Sequence, residues 1–365
     1  MSILANFKKS ISRKFFTLFC IIINRQPFFD WTLIIFKQIA QGGDRSDKCL
    51  KNGFLPLPVH FYSPIPDIED LKRRNVWEQK SILGGIRFET KDHLKLLERL
   101  GKKYGKECKW PKNETGNPAD YIIGNPTFLF GCAASLYTMV REYKPQRIIE
   151  IGSGNSSKII SQAIAKNISE GGQQTEYIIV DPFSSSPVSD KKIKFNKLIK
   201  KRVETLDLNF FDQLESGDFL FIDSSHMVKI GSDVNFLYLE VLPRIKSGVF
   251  VHCHDIDLSY EYPKCYTTDN KFRQFWPERY LLQAFLAFNN KFEILLPMTY
   301  LMKNCQGKFK RLFPAYDPNF PGGRLAFSPV FGSEESELDE AQICDLLTYP
   351  SAFRERTGSN ALSAS

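Results

Sequence analysis

Of the five histidines in this 365-residue chain, His226, His252 and His254 share one short stretch with Asp223 and Asp255. Asp223 closes the apolar run Phe219-Leu-Phe-Ile222, and His252, His254 and Asp255 lie at or just beyond the end of Gly248-Val-Phe-Val-His252. Where such runs are parallel strands, their carboxyl ends are the edge that meets a ligand. Two chemistries suit carboxylates and imidazoles gathered there. In one, Asp223, His254 and Asp255 bind a divalent cation such as Mg²⁺, which anchors an acceptor hydroxyl and lowers its pKa. In the other no ion binds, and His226, with an ordinary pKa of about 6.5, takes the acceptor's proton as a general base. On an extended strand His252 and His254 share a face while Cys253 points away. His252 reads as a hydrogen-bonded core residue, and Asp233 and Glu240 as loop-tethering or helix-surface residues.

A second constellation precedes these. Glu150-Ile-Gly152-Ser-Gly154-Asn-Ser156-Ser157 follows the strand-like run Arg147–Ile151 and opens a helix. Glycines there permit a tight turn and close backbone approach to a ligand, whose carboxylate can meet helix amides. A nicotinamide fingerprint would carry a third glycine, and Ser157 stands in its place. Asp181 ends the next run, Tyr177–Val180, where an acidic side chain accepts hydrogen bonds from ribose hydroxyls.

The elements positioning these residues alternate. Strands are expected at Arg147–Ile151, Tyr177–Val180, 198–203, Phe219–Ile222, Gly248–His252 and 292–296. Helices are expected at 91–104, 133–143, 158–166, 234–242 and 278–288. Alternation of this kind builds parallel βαβ units. The Gly/Pro-bearing stretch 41–58 reads as a linker and the polar stretch 105–127 as a loop. The expected divisions are a basic, apolar segment 1–45, an extension with a lid-like loop and helices over 46–130, a cofactor domain 131–330, and an acidic tail 331–365.

Net charge is +8, and residues 1–60 hold nine Lys/Arg against three Asp/Glu. A basic end on a nearly neutral remainder excludes a uniformly basic nucleic-acid binder. Basic residues beside Phe15–Ile23 and Phe28–Phe36 suit a helix lying in a membrane interface over residues 1–40, or packed on protein or a second copy of the chain. The eight cysteines form no C-x-x-C pair, which excludes a zinc knuckle or disulfide scaffold and suggests reduced thiols in the cytoplasm.

Six stretches resemble the bacterial class I methyltransferases of the type called methyltransferase domain 24. They are His60–Asp67, Arg147–Ser157, Leu220–His226, Asp233–Pro243, Val251–Ile256 and Tyr280–Leu286, together covering roughly residues 58–300. The resemblance implies an α/β, Rossmann-like, seven-stranded and mostly parallel sheet with an N-terminal helical extension. It also implies S-adenosylmethionine (SAM) bound by Glu150, Gly152, Ser153, Gly154, Asp181 and Asp223, with Glu150 helping to hold the methionine ammonium. The strand-end aspartates are similar to the metal ligands of catechol-type O-methyltransferases, with His226 where those carry a lysine base. Gly131-Cys132 departs from the family's expected acid, and 302–321 reads as an insertion. The expected activity is methylation of a hydroxyl on a small-molecule, glycan or lipid-linked acceptor. A metal-dependent oxygenase or hydrolase on the same fold, or a membrane-tethered SAM-binding scaffold without turnover, is the alternative.

Overall fold

The computed structural model describes residues 28–42, 44–184, 188–269, 273–320 and 329–333. One compact unit draws on Met1–Trp77 and Pro263–Phe275, and another on Glu78–Tyr262 and Trp276–Ser365. The first unit thus takes in the expected segment 1–45 and the start of the expected extension, together with residues 263–275. Most of the expected basic N-terminal segment and nearly all of the acidic tail lie outside the described residues.

The first unit contains α1 (Phe28–Ala40), α2 (Asp44–Lys51) and α3 (Ile68–Arg74). No residue of α1 is buried, and Trp31 is 72% exposed. Its 13 residues span roughly 20 Å, too short for a hydrocarbon core of about 30 Å. Among the described residues no helix is long and apolar enough to cross a membrane. The expected linker 41–58 holds α2, whose Asp44 and Asp47 open it and Lys48 and Lys51 close it, each on the favourable end of the helix dipole. Asp67 caps α3 by accepting from the amides of Glu69 and Asp70.

In the second unit α4 (Thr90–Tyr104) and α5 (Phe130–Tyr143) precede β1 (Arg147–Ile151), α6 (Asn155–Ser169), β2 (Glu176–Val180) and β3 (Lys197–Ile199). There follow β4 (Phe219–Ile222), α7 (Asp233–Phe236), β5 (Phe250–Cys253), α8 (Glu278–Leu286), β6 (Phe292–Pro297), α9 (Met298–Asn304), α10 (Gln306–Leu312) and β7 (Pro329–Ser333). The sheet order is β3-β2-β1-β4-β5-β7-β6, parallel from β3 to β5, with β7 antiparallel to both β5 and β6. Strands β1, β2, β4 and β5 are rich in Ile, Val, Leu, Phe and Tyr and covered on both faces, as a parallel sheet requires, with Glu150 and His252 as buried polar exceptions. Ile148, Phe219, Phe221 and Phe250 pack toward α5, while Ile149, Ile151, Leu220, Ile222 and Val251 pack on the other face.

Three details differ from the sequence expectation. Strand β3 stops at Ile199, at the sheet edge and only half-buried. The helix after Asp233 relaxes into a π turn at Leu237–Val241 ahead of Pro243, which has no N–H to continue the ladder. The apparent insertion 302–321 is no appendage, because it places Phe309, Phe313 and Tyr316 in the main core beside Phe130.

One backbone device sets the level of the reactive edge. The residue just past each strand donates its N–H to the last carbonyl of the neighbouring strand. Asp181 bonds Ile199 (3.0 Å), Gly152 bonds Val180 (3.0 Å), Asp223 bonds Ile151 (2.9 Å) and His254 bonds Ile222 (2.8 Å). The four strand-end positions are thereby tied in a row across the sheet.

Candidate active site

Gly152 turns the chain away from β1 at φ +80°, and a Cβ built there would lie 2.1 Å from the carbonyl oxygen of Asp223. Glycine is required at this position on both counts. Helix α6 then starts at Asn155, with the Gly154 N–H donating to Ser157 Oγ (3.1 Å). Asn155 ties in the loop before α5, donating to Asn125 Oδ1 (3.1 Å) and Thr127 Oγ1 (3.2 Å). Asp181 is nearly buried and accepts from Ser153 Oγ and from the Phe183 amide (2.7 Å). Each carboxylate oxygen retains a second lone pair for a ligand hydroxyl.

Glu150 departs from its expected role. It is fully buried, and its carboxylate accepts from Ser156 Oγ (2.6 Å), Ser157 Oγ (2.8 Å) and the Tyr177 hydroxyl. It secures the start of α6 from beneath, and no part of it is open to a ligand ammonium. Burial pushes its pKa up to about 7 against the hydroxyl bonds from Ser156, Tyr177 and Ser157.

At the ends of β4 and β5 the acid and imidazole groups converge. Asp223 Oδ1 lies 3.4 Å from His226 Nε2 and 3.3 Å from His254 Nδ1, and Asp255 Oδ2 lies 3.9 Å and 3.6 Å from the same two nitrogens. His226 Nδ1 is 2.6 Å from Oε2 of Glu278, a buried residue in the first turn of α8. The ring of Trp276 packs on His226 at 4.2 Å between centroids, and Phe128 packs on His254 at 4.7 Å. Asp233 accepts from the Ser225 amide (2.8 Å) and hydroxyl (2.6 Å), the loop-tethering role expected of it. His252 lies deeper, fully buried against Phe221, and burial lowers its pKa to about 3, so its ring is neutral. Contrary to expectation its nitrogens find no hydrogen-bond partner among the described residues.

The donor set fits a divalent cation. Ligand atoms of Asp223, His226 and Asp255 lie within 4.8 Å of one another. His254 Nδ1, buried and without a hydrogen bond, points at both aspartates. The expected trio of Asp223, His254 and Asp255 is thus brought together, and His226 joins it.

Residues 149–256 match the family described as methyltransferase domain. An uncharacterized protein of Archaeoglobus fulgidus is 31% identical over 168 residues, which span 44% of this chain and 74% of that protein. This chain belongs to the class I SAM-dependent methyltransferases. Among solved structures, the plantazolicin methyltransferase BpumL with S-adenosylhomocysteine is similar at TM-score 0.37 and 10% identity, over 67% of this chain and 97% of that one. Coclaurine N-methyltransferase is similar at TM-score 0.32 and 10% identity, over 73% of this chain and 92% of that one. Likeness this distant carries no argument about the site.

In this methyltransferase the carboxylates around His226 favour its protonated form. Burial alone would lower its pKa, but hydrogen bonds to Asp223 and Glu278 outweigh burial and raise it to about 10. Burial and the Asp223 charge instead raise the pKa of Asp255, against the pull of His254 and His226. Glu278 and Trp276 were not legible as site residues, since they stand about fifty positions past His226 and just ahead of the family-like stretch Tyr280–Leu286 instead of within it. Six cysteines, Cys49, Cys108, Cys132, Cys253, Cys265 and Cys305, are free thiols, and Cys20 and Cys344 lie outside the described residues.

The Glu150 carboxyl yields a pH test. Its folded pKa of about 7 exceeds the ordinary 4.5, so its contribution is complete below the lower value and is lost as pH rises through the upper one. Urea unfolding of the parent should lose on the order of 3 kcal/mol from this source between pH 4.5 and 8. Glu150→Gln should show a correspondingly flatter profile; parallel profiles for the two proteins would remove the assignment.

Proposed function

We propose that this methyltransferase acts on a hydroxyl oxygen, with the methyl donor seated on the Gly152–Asn155 turn and the acceptor held at the Asp223–His226–Asp255 cluster. The observation that carries this reading is the contact of Gly152 with the Asp223 carbonyl, which joins the two half-sites without an intervening residue. Asp181 is the acid for the ribose hydroxyls, and the first amides of α6, with Ser153 and Gly154, meet the methionine carboxylate. Asp223 then lies between cofactor and acceptor.

In the transfer the acceptor oxygen forms a bond to the methyl carbon as the carbon–sulfur bond breaks, leaving S-adenosylhomocysteine. The hydroxyl proton passes to the carboxylate side of the cluster, where Asp255 has the raised pKa suited to receiving it. His226, locked by Glu278, keeps Asp223 ionised and stabilises the charge of the departing proton's site. A divalent ion bound by Asp223, His226, His254 and Asp255 would supply Lewis acidity toward the acceptor oxygen. The partly exposed Asp223 and Asp255 are the members of the cluster that an acceptor reaches. A small-molecule, glycan or lipid-linked hydroxyl is the acceptor class proposed.

A second reading concerns location. Phe28, Trp31, Ile34 and Ile35 are all at least half exposed on α1, and residues 1–27 carry five Lys/Arg and no acid. These features support peripheral attachment to an anionic lipid surface.

Each reading has its measurement. Asp255→Asn, Asp223→Asn and His226→Ala should each reduce turnover by roughly 10²- to 10⁴-fold, with SAM affinity by calorimetry little changed. His252→Ala should lower stability more than turnover, and full turnover in His226→Ala would dismiss the cluster as the acceptor site. Full-length protein should sediment with phosphatidylserine-containing liposomes, less so as salt rises. Equal sedimentation of a variant lacking residues 1–40 would dismiss the membrane reading.

A further inference from the structure

We propose that Asp223, His226, His254 and Asp255 form a site selective for a nitrogen-accepting divalent transition ion of the iron(II), cobalt(II) or zinc(II) class over Mg²⁺, with Glu278 as the outer carboxylate that fixes His226 as a ligand. This deepens the proposed function and rests on its reading of the cluster as the acceptor end.

The four donor atoms form a ring in which each carboxylate oxygen faces both imidazole nitrogens, at 3.3, 3.4, 3.6 and 3.9 Å. Metal–ligand bonds of about 2.1 Å place neighbouring ligand atoms roughly 3.0 to 3.4 Å apart, so small side-chain adjustments close this ring on one ion. The outer contact makes the case specific. Glu278 is 1% exposed and takes up His226 Nδ1 at 2.6 Å, leaving Nε2 as the ring's other functional atom and aiming it at two carboxylates. A cation bound in the ring would take the place of the proton that Nε2 otherwise directs at those oxygens. A carboxylate behind the ring is the standard device for fixing a ligating histidine.

His254 gives the second, independent observation. It is 2% exposed, and neither ring nitrogen has a hydrogen bond, although Nδ1 is directed at both aspartates. An imidazole left so in a closed interior is costly unless a ligand satisfies it. The backbone agrees, since His226 (φ +60°) and Asp255 (φ +56°) are both held in the left-handed region without being glycine. Such conformations persist where a site over-determines them. Two imidazoles and two carboxylates suit transition ions, whereas Mg²⁺ demands oxygen ligands and retained water.

The test uses the full, tag-free chain stripped with a chelator, titrated with CoCl₂, ZnCl₂ and MgCl₂ by calorimetry. Trp276, stacked on His226, serves as a fluorescence reporter, and the visible spectrum of cobalt serves as a reporter of nitrogen ligation. One cobalt or zinc ion should bind per chain, at least about tenfold tighter than Mg²⁺. Glu278→Gln should weaken cobalt binding roughly 10- to 100-fold, with circular dichroism and SAM affinity preserved. His254→Phe should abolish the cobalt spectrum. Mg²⁺ binding as tight as cobalt, or unchanged affinity in Glu278→Gln, overturns the proposal. If no ion binds while methyl transfer persists, the ion site is wrong and the proposed function stands. If methyl transfer also fails to depend on Asp223 and Asp255, the function reading fails with it.

Discussion

The contact between Gly152 and the carbonyl of Asp223 is the constraint on which the rest of the active site depends. No side chain fits between them, and the positive φ of Gly152 directs the chain from β1 into α6 at that point. Because Asp223 in turn donates its amide to Ile151, the two strand ends are held by backbone atoms alone. The turn that faces a cofactor and the acid that faces an acceptor are consequently one rigid piece. Any residue larger than glycine at 152 would displace Asp223 as well as the turn, so such a substitution disturbs both half-sites together.

Around this junction the sequence concentrates charge where water is scarce. Asp223 and Asp255 face both His226 and His254, Glu278 faces His226, and all the ion pairs described for these three carboxylates are made with those two rings. Buried charges persist only when paired and well positioned. The positioning comes from aromatic walls, with Trp276 on one ring and Phe128 on the other. Phe128 is itself fixed by Asn125, whose side-chain oxygen accepts the Phe128 amide at 2.7 Å and whose amide donates to the Phe128 carbonyl at 2.9 Å. The same Asn125 accepts from Asn155 at the start of α6, so the loop before α5 spans the turn and the cluster.

What could be read from the sequence was whatever the strands carry at their ends. Short, mostly apolar runs ending in Gly152, Asp181, Asp223 and His254 announced both the sheet and its reactive edge, because a parallel strand buried on two faces is largely apolar until it emerges. Long-range partners carried no such signal. Glu278 reaches His226 from 52 positions away, and nothing in Pro277-Glu278 distinguishes it from any acid opening a helix. Burial was equally silent. Glu150 sits where a ligand-facing acid was expected, yet the hydroxyls of Ser156, Ser157 and the more distant Tyr177 enclose it. The two carboxylates that raise the pKa of His226 are brought to it by folding, so the shift has no signal in the sequence. Residues 302–321 looked like an insertion because their polar and basic surface residues obscure Phe309, Phe313 and Tyr316, which are core.

The central claim is that the methyl donor on the glycine turn faces the acid–histidine cluster. A crystal structure of the full chain with S-adenosylhomocysteine measures this directly. The account predicts the ribose on Asp181, the homocysteine carboxylate at the amides opening α6, and the sulfur directed across Gly152 toward Asp223 and His226. A sulfur directed away from Asp223, or a nucleoside bound elsewhere on the sheet, would contradict it.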